Sequence, residues 1–339
     1  MRNLIISFCL MASVPVFAEN PDSAKFYFNK GVEEQTARRF LMAAQAFDKA
    51  IKFDPKFTDA YMQNGYVSLE MRKTDNAITC FSKVLELEPG NANAVKELAE
   101  LYFNYRQFNK AMELAQKCPT CPNAEKIIAI SNFHLENFEL AVKGLLSFLK
   151  KNPNDAEANY MVASSYLGME QNLEAAKYYQ KAIELDPSRV NWMNELGILY
   201  YETDNFESAV VYFKMAKEKG FPPSSSFIEN LAYSYVYSGD FATGEKMLLE
   251  LWAKKPGNKD ILRDLADAYY QRKLYDKSLE FCQKLLEMDM KDAKAMYQAG
   301  MCFQKKGDKD RGQGLCDKAI ELDPTLANMR KQQMMGAGL

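Results

Sequence analysis

The sequence holds 339 residues, 47% of them hydrophobic and 26% charged, with 12 Pro and 16 Gly; a chain of that make-up can bury a sizeable core and is not disordered. Its 43 Lys and Arg nearly balance 45 Asp and Glu, which leaves neither a basic footprint for nucleic acid nor a strong acidic field. His134 is the one histidine, which excludes a multi-histidine metal site and would route any histidine-dependent catalysis through that residue.

At the start, Arg2 precedes an apolar stretch from Leu4 to Phe17, interrupted only by Ser7, Ser13 and Pro15. Val16-Phe17-Ala18 then ends in small-x-small style, with polar Glu19-Asn20-Pro21 beyond. This order reads as a secretory signal over residues 1–18, cleaved after Ala18 and followed by a leader, 19–23. The run falls short of the about 20 apolar residues a membrane-spanning helix needs. Cys9 follows the bulky Phe8, where a lipid-attachment site would carry a small residue. No later segment approaches membrane-spanning length without charges, so the expectation is an exported chain without a transmembrane segment once the signal is removed: periplasmic, cell-surface or secreted. Six cysteines then remain, Cys80, Cys118, Cys121, Cys282, Cys302 and Cys316. An even number in an exported protein permits disulfides without requiring them.

From residue 24 onward the sequence repeats. Gly31 and Gly65, Ala43 and Ala77, Phe47 and Phe81, and Pro55 and Pro89 are each 34 residues apart, and a period of this length is the mark of a repeat architecture. The register divides the chain into nine units, 24–57, 58–91, 92–121, 122–155, 156–189, 190–224, 225–258, 259–292 and 293–326, with 327–339 as a C-terminal cap or tail. The third unit is shortened around Cys118–Pro122 and the sixth lengthened around Gly220–Ser225. Each unit reads as two short helices. In the fifth, Ala156–Leu167 and Leu173–Leu185 are the pair, and Asp186-Pro187 stops the second because proline lacks the N–H and restricts the residue before it. A small residue of the first helix, such as Gly31, Ala99 or Gly197, is expected to face one of the second, such as Ala43, Ala111 or Ala209. Bulky residues one turn on (Phe47, Phe81, Leu145, Tyr179, Phe213, Leu248) fill the gap beside them.

The 34-residue period, the small–small pair, the aromatic-rich positions and the terminal proline resemble those of tetratricopeptide repeat (TPR) proteins, over about 24–326. Met290 stands where most units end in proline, and Cys282 and Cys316 replace the usual bulky residue. The resemblance implies an all-α, right-handed superhelical solenoid of about nine helix-turn-helix units, with a concave surface lined by the first helices.

That groove is the main candidate site. Its partner-binding residues, taken in register, are Phe28, Met62, Tyr66 and Phe103, then Lys126, Ile130, Phe133 and Tyr160. Asn194, Tyr201, Tyr233, Arg263, Tyr270 and Tyr297 continue the series. Aromatic and Met-rich concave surfaces suit peptides or helices. TPR proteins that grip chaperone C-termini hold a carboxylate with a lysine and an asparagine one turn apart. The matching pairs here are Lys96/Glu100 and Lys126/Ile130, so that clamp is absent. Cys118-Pro119-Thr120-Cys121 is open to four readings: a structural bridge pinning the shortened turn, unpaired thiols, a redox dithiol, or half a metal site. Cys282, Cys302 and Cys316 read as small buried hydrophobes, with a 302–316 or 282–302 bridge as the other option. No phosphate-cradling glycine motif is present, and no cofactor or metal is expected. The reading is a non-enzymatic protein- or peptide-binding scaffold in an envelope-associated complex, with no nucleic-acid partner. The alternative is a thiol-disulfide-active chaperone or oxidoreductase using Cys118 and Cys121.

Overall fold

The computed structural model of the chain describes residues 20–328. The signal segment with its cut after Ala18, and residues 329–339 of the tail, lie outside the described residues. No strand occurs among the described residues. They form two units that divide between Gln171 and Asn172.

The first unit holds α1 (Pro21–Thr36), α2 (Phe40–Phe53), α3 (Thr58–Glu70), α4 (Thr74–Leu87), α5 (Ala92–Asn104), α6 (Phe108–Lys117), α7 (Ala124–His134), α8 (Phe138–Lys151) and α9 (Ala156–Gly168). The second holds α10 (Asn172–Leu185), α11 (Val190–Glu202), α12 (Phe206–Glu218), α13 (Ser225–Ser238), α14 (Phe241–Lys254), α15 (Asp260–Gln271), α16 (Tyr275–Met288), α17 (Ala293–Lys305) and α18 (Lys309–Leu322). Within each unit consecutive helices pack in chain order, so each hairpin rests on the next. Odd-numbered first helices also touch the following first helix, as α5 does α7 and α15 does α17.

Burial follows from that stacking. In α2 only one stripe is buried, Ala43, Ala46, Phe47 and Ala50, the i, i+3, i+4, i+7 face of an amphipathic helix. Helix α3 is enclosed more widely, with Ala60, Met62, Asn64, Gly65, Val67 and Ser68 all buried, because it meets α2, α4 and α1. The rings of Phe47, Phe81, Phe213 and Phe281 are fully enclosed, each worth roughly 1.5–3 kcal/mol of transfer free energy.

The hairpin contact is more varied than small residue against small residue. A Cβ on Gly31 would lie 2.5 Å from the Phe47 ring, on Gly65 2.4 Å from Phe81, and on Gly197 2.8 Å from Phe213. In these hairpins the first-helix glycine is the seat of the partner's aromatic ring. Near the C-terminal end the backbones themselves close up: a Cβ on Gly244 would stand 2.6 Å from the Ala232 carbonyl oxygen, and one on Gly312 2.6 Å from that of Gly300.

The turns inside the hairpins share one geometry. Arg38, Arg72, Arg106, Glu136 and Asp204 all have φ between 56° and 61°, a conformation that costs an ordinary side chain. The following amide closes the helix end, as where Arg39 N–H donates to the Glu34 carbonyl at 2.8 Å and Gln107 N–H to that of Tyr102 at 2.8 Å. These are the six-to-one bonds of a Schellman cap. The entry side is capped by short polar residues: Asn91, Asp155, Ser224 and Asp292 each accept from the amide three residues on.

One boundary differs from the sequence reading. Helix α1 begins at Pro21, inside the segment 19–23 read as a leader, because the Asn20 side chain accepts from Ser23 N–H at 3.2 Å and Pro21 has no amide to satisfy. At the other end residues 326–328 are helical, and Leu326 is buried against a cluster containing Met296, Tyr297, Cys316 and Ala319. No described helix is long and apolar enough to cross a membrane.

Candidate functional site

The first helices bring the groove residues of each unit into register, at different depths. Met62, Ile130, Tyr233 and Tyr297 are buried, at 3–7% exposure, so they support the surface more than they present it. The other ten are half-buried. Among these, Phe28 packs 4.9 Å from Phe57 and 5.8 Å from Phe47, and Tyr66 lies edge-on to Phe81 at 5.5 Å. Such rings join neighbouring elements.

In the first unit, α5, α7 and α9 form a cleft of about 260 Å³ lined by Glu100, Phe103, Asn123, Lys126, Ile130 and Glu157. Lys126 donates to Asp155 at 3.0 Å and to Glu157 at 2.7 Å. Burial pulls its ammonium pKa down, but hydrogen bonds to Glu157 and Asp155 outweigh that and hold it above the ordinary lysine value. Asp155 is also the N-cap of α9. The cation of one first helix therefore ties down the start of the next. Asn123 donates to Glu100 at 3.3 Å across the same cleft. Phe133 sits near Phe138 and His134. His134 stacks on Phe108 at 4.2 Å, and burial, then the Arg106 charge, pushes its pKa below the usual histidine value.

The second unit repeats the device. Arg263 donates to Asp292 at 2.8 Å and to Asp260 at 3.2 Å, and Asp292 caps α17 by accepting from Ala295 N–H at 3.1 Å. Lys259 adds a contact to Asp289 at 3.1 Å. A second cleft of about 260 Å³ lies here, with Arg263, Asp267, Lys294, Tyr297 and Gln298 among its walls. Tyr233 donates its hydroxyl to Asp264 at 2.5 Å. Tyr201 lies 5.8 Å from Phe206 and Tyr270 5.5 Å from Tyr275; burial first, then nearby thiol and phenol groups, raises the Tyr270 phenol to about 12. Asn194 is half-buried on α11, and Tyr160 half-buried on α9 of the first unit.

Asp155, Glu157, Asp264, Asp292, Phe206 and Tyr237 were not among the residues expected from the sequence. A signal for the ion pairs was present: Lys126 and Arg263 are each followed 29 residues later by the Asp that precedes a first helix. The aromatic neighbours carried no such signal, because Phe206 and Tyr237 belong to helix ends whose facing direction is set by the turns.

Cys118 and Cys121 are joined in a disulfide within the shortened turn between α6 and α7. Cys121 Sγ lies 3.5 Å from the Ala92 carbonyl oxygen, and both half-cystines pack against the core of α4–α7. Cys282, Cys302 and Cys316 are buried and not bridged to one another; Cys302 donates to Ser278 at 3.2 Å. Burial lifts the Cys80 thiol to about 11 and the Cys282 thiol to about 12, the opposite of what thiolate chemistry requires. Among the described residues no group of three or more His, Cys, Asp or Glu is placed to hold a metal ion.

Models of the tetratricopeptide repeat match residues 160–224, 230–293 and 294–325. Over residues 160–325 the chain is built of tetratricopeptide repeats. Residues 70–148 match a second model, described as anaphase-promoting complex, cyclosome, subunit 3. Among curated relatives, the DnaJ protein P58IPK homolog B of Oryza sativa subsp. japonica is 24% identical over 221 residues, covering 60% of this chain and 46% of the relative. The protein CTR9 homolog of Arabidopsis thaliana is 23% identical over 326 residues, covering 80% of this chain and 29% of that one. The chain thus spans less than half the length of either relative. Among solved structures, the C-terminal part of a TPR repeat-containing protein from Cytophaga hutchinsonii aligns with a TM-score of 0.50 at 16% identity, over 71% of this chain and 98% of that one. That likeness is one of fold.

Proposed function

We propose that this TPR protein is a non-enzymatic scaffold whose first-helix face holds a segment of a partner protein, and that it acts outside the cytoplasm in an envelope-associated assembly. The observation that carries the binding reading is the set of half-buried rings on the first helices of each unit, Phe103 in the first and Tyr201 and Tyr270 in the second. Their backbones are fixed by hairpin packing, so little freedom is lost when they meet a ligand. Export is supported by the tripartite layout of residues 1–18 and by a Cys118–Cys121 bridge of the kind that persists in oxidising compartments.

Photo-crosslinking in the native host tests the binding face. A benzoylphenylalanine replacing Phe103 or Tyr201 is expected to capture the same partner, whereas one replacing the exposed Leu173 or Val211 of the second helices captures none. Capture from Leu173 and Val211 with none from Phe103 and Tyr201 would move the binding surface to the opposite side.

A further inference from the structure

Across α11, α13 and α15 the first-helix face becomes both aromatic and acidic. Tyr201 meets Phe206 at 5.8 Å, Phe206 meets Tyr237 at 4.9 Å, and Tyr237 stacks on Tyr233 at 6.1 Å. Tyr237 is 37% exposed, and Tyr201 and Phe206 are half-buried, so three of the four rings reach solvent. Asp204, Asp264 and Asp267 act on the Tyr237 hydroxyl, and Asp264, Glu229 and Asp204 on that of Tyr201. Burial and then these carboxylates raise the Tyr237 phenol to about 12. Asp267 is exposed at the rim yet crowded, and desolvation followed by the Asp264 charge holds its carboxyl above the usual range.

The acidic groups lack counter-ions. Asp264 accepts from Tyr233, while the side chains of Asp204, Glu229 and Asp267 make no hydrogen bond or ion pair among the described residues. Two neighbouring cations are already engaged, and a third, Lys294, shares the second cleft with Asp267 without pairing with it. Arg263 is held by Asp260 and Asp292, and Arg272 donates to the Tyr237 carbonyl at 2.8 Å and lies over Phe241. Rings that present a π-face beside uncompensated carboxylates favour a cation, and a guanidinium can stack on a ring while donating to a carboxylate. The feature runs over three successive first helices, a length that suits several residues of extended chain rather than one small ion.

We infer that this surface takes an Arg- or Lys-bearing extended segment of a partner protein, with a cationic side chain lying on the Tyr201 and Tyr237 rings between Glu229, Asp264 and Asp267. The inference rests on the reading that the first-helix face binds a protein segment, and adds the charge of that segment. It is the reverse of a carboxylate clamp, and the lysine of the first-unit cleft is neutralised by its own acids.

Calorimetric titration of the full chain with the blocked peptide acetyl-Gly-Arg-Ser-Arg-Gly-Arg-Ser-Gly-amide tests it, beside the same peptide carrying Glu for Arg. The Arg peptide is expected to bind, to weaken steeply as salt is raised, and to lose at least tenfold in affinity in the Glu229→Gln/Asp267→Asn double variant and in Tyr237→Ala. Both sets of changes lie on exposed or half-exposed side chains, and unchanged circular dichroism would show the fold intact. Equal binding of the Glu peptide, binding of spermidine as tight as that of the Arg peptide, an unaffected double variant, or no binding of the Arg peptide at millimolar concentration would each overturn it. Should the Arg peptide fail while crosslinkers at Phe103 and Tyr201 still capture a partner, this inference falls and the scaffold reading stands.

Discussion

Replacing Gly244 with alanine is expected to destabilise the second unit by about 3 kcal/mol, the upper part of the range for overpacked cores. The added Cβ would stand 2.6 Å from the Ala232 carbonyl oxygen, 2.6 Å from Val236 Cγ2 and 2.8 Å from the Val236 nitrogen. Two of those three atoms are backbone, so α13 and α14 would have to separate. At Gly31 the three nearest atoms all belong to the Phe47 ring, a side chain rather than backbone, and a smaller loss is expected. Gly314 is the control of opposite sign. It lies in α18 with nothing within 4 Å of the Cβ position, so Gly314→Ala should gain about 0.5–1 kcal/mol by reducing unfolded-chain entropy. Native-state hydrogen exchange in the helices of each altered hairpin, α13 and α14 for Gly244, α1 and α2 for Gly31, α17 and α18 for Gly314, is the appropriate readout, because stacked repeats need not unfold as one cooperative body. A neutral Gly244→Ala would mean that the helices are not in backbone contact.

Asp292→Ala is expected to cost about 3 kcal/mol. Losing the N-cap of α17 accounts for about 1 kcal/mol. The remainder comes from stripping a largely buried carboxylate away from Arg263, whose Nε is already buried without a partner and whose other acid, Asp260 at 3.2 Å, is 76% exposed and screened by water; the cation is left poorly compensated. The guanidinium is one-third exposed, and water reaching it keeps the loss below the about 3–5 kcal/mol seen for fully buried pairs. Asp292→Asn can keep the cap and should lose less. Asp155→Ala removes the equivalent group of the first unit, but Lys126 retains Glu157 at 2.7 Å, so its loss should be nearer about 1–2 kcal/mol. Denaturant-dependent exchange of the α17 and α9 amides would check the order Asp292→Ala, Asp155→Ala, Asp292→Asn. Equal losses at all three would contradict the repeated cation-to-cap account.

The period of the hairpins was plain in the sequence because glycine, alanine and phenylalanine recur at fixed spacing wherever two helices must approach. What the spacing left open is what each small residue meets. Gly31, Gly65 and Gly197 seat a ring, whereas Gly244 and Gly312 seat a backbone. Composition cannot separate these cases, since the same residue type serves both. The intra-hairpin turns were hidden for a related reason. Arg38, Arg72, Arg106 and Asp204 occupy left-handed backbone without the glycine that usually announces it, and a cap hydrogen bond rather than residue type holds them there.

The candidate surface was legible in outline only. Helical register placed Tyr201, Tyr233 and Arg263 on one face, but their roles depend on partners about 30 residues away. Tyr233 is tied to Asp264 and Arg263 to Asp292, which turns two apparent ligand-binding groups into links between repeats. Conversely, Phe206 and Tyr237 become part of the open surface only because the α11–α12 turn swings Phe206 against the end of α13, 4.9 Å from Tyr237.

Amide hydrogen exchange of the full chain, alone and with the partner captured by crosslinking, tests most directly whether the first helices carry the function. Binding is expected to slow exchange in first helices, among them α5, α7, α11, α13 and α15, while the outer faces of α6, α8, α12 and α14 change little. Slowing confined to those second helices, with the first helices unaltered, would contradict it.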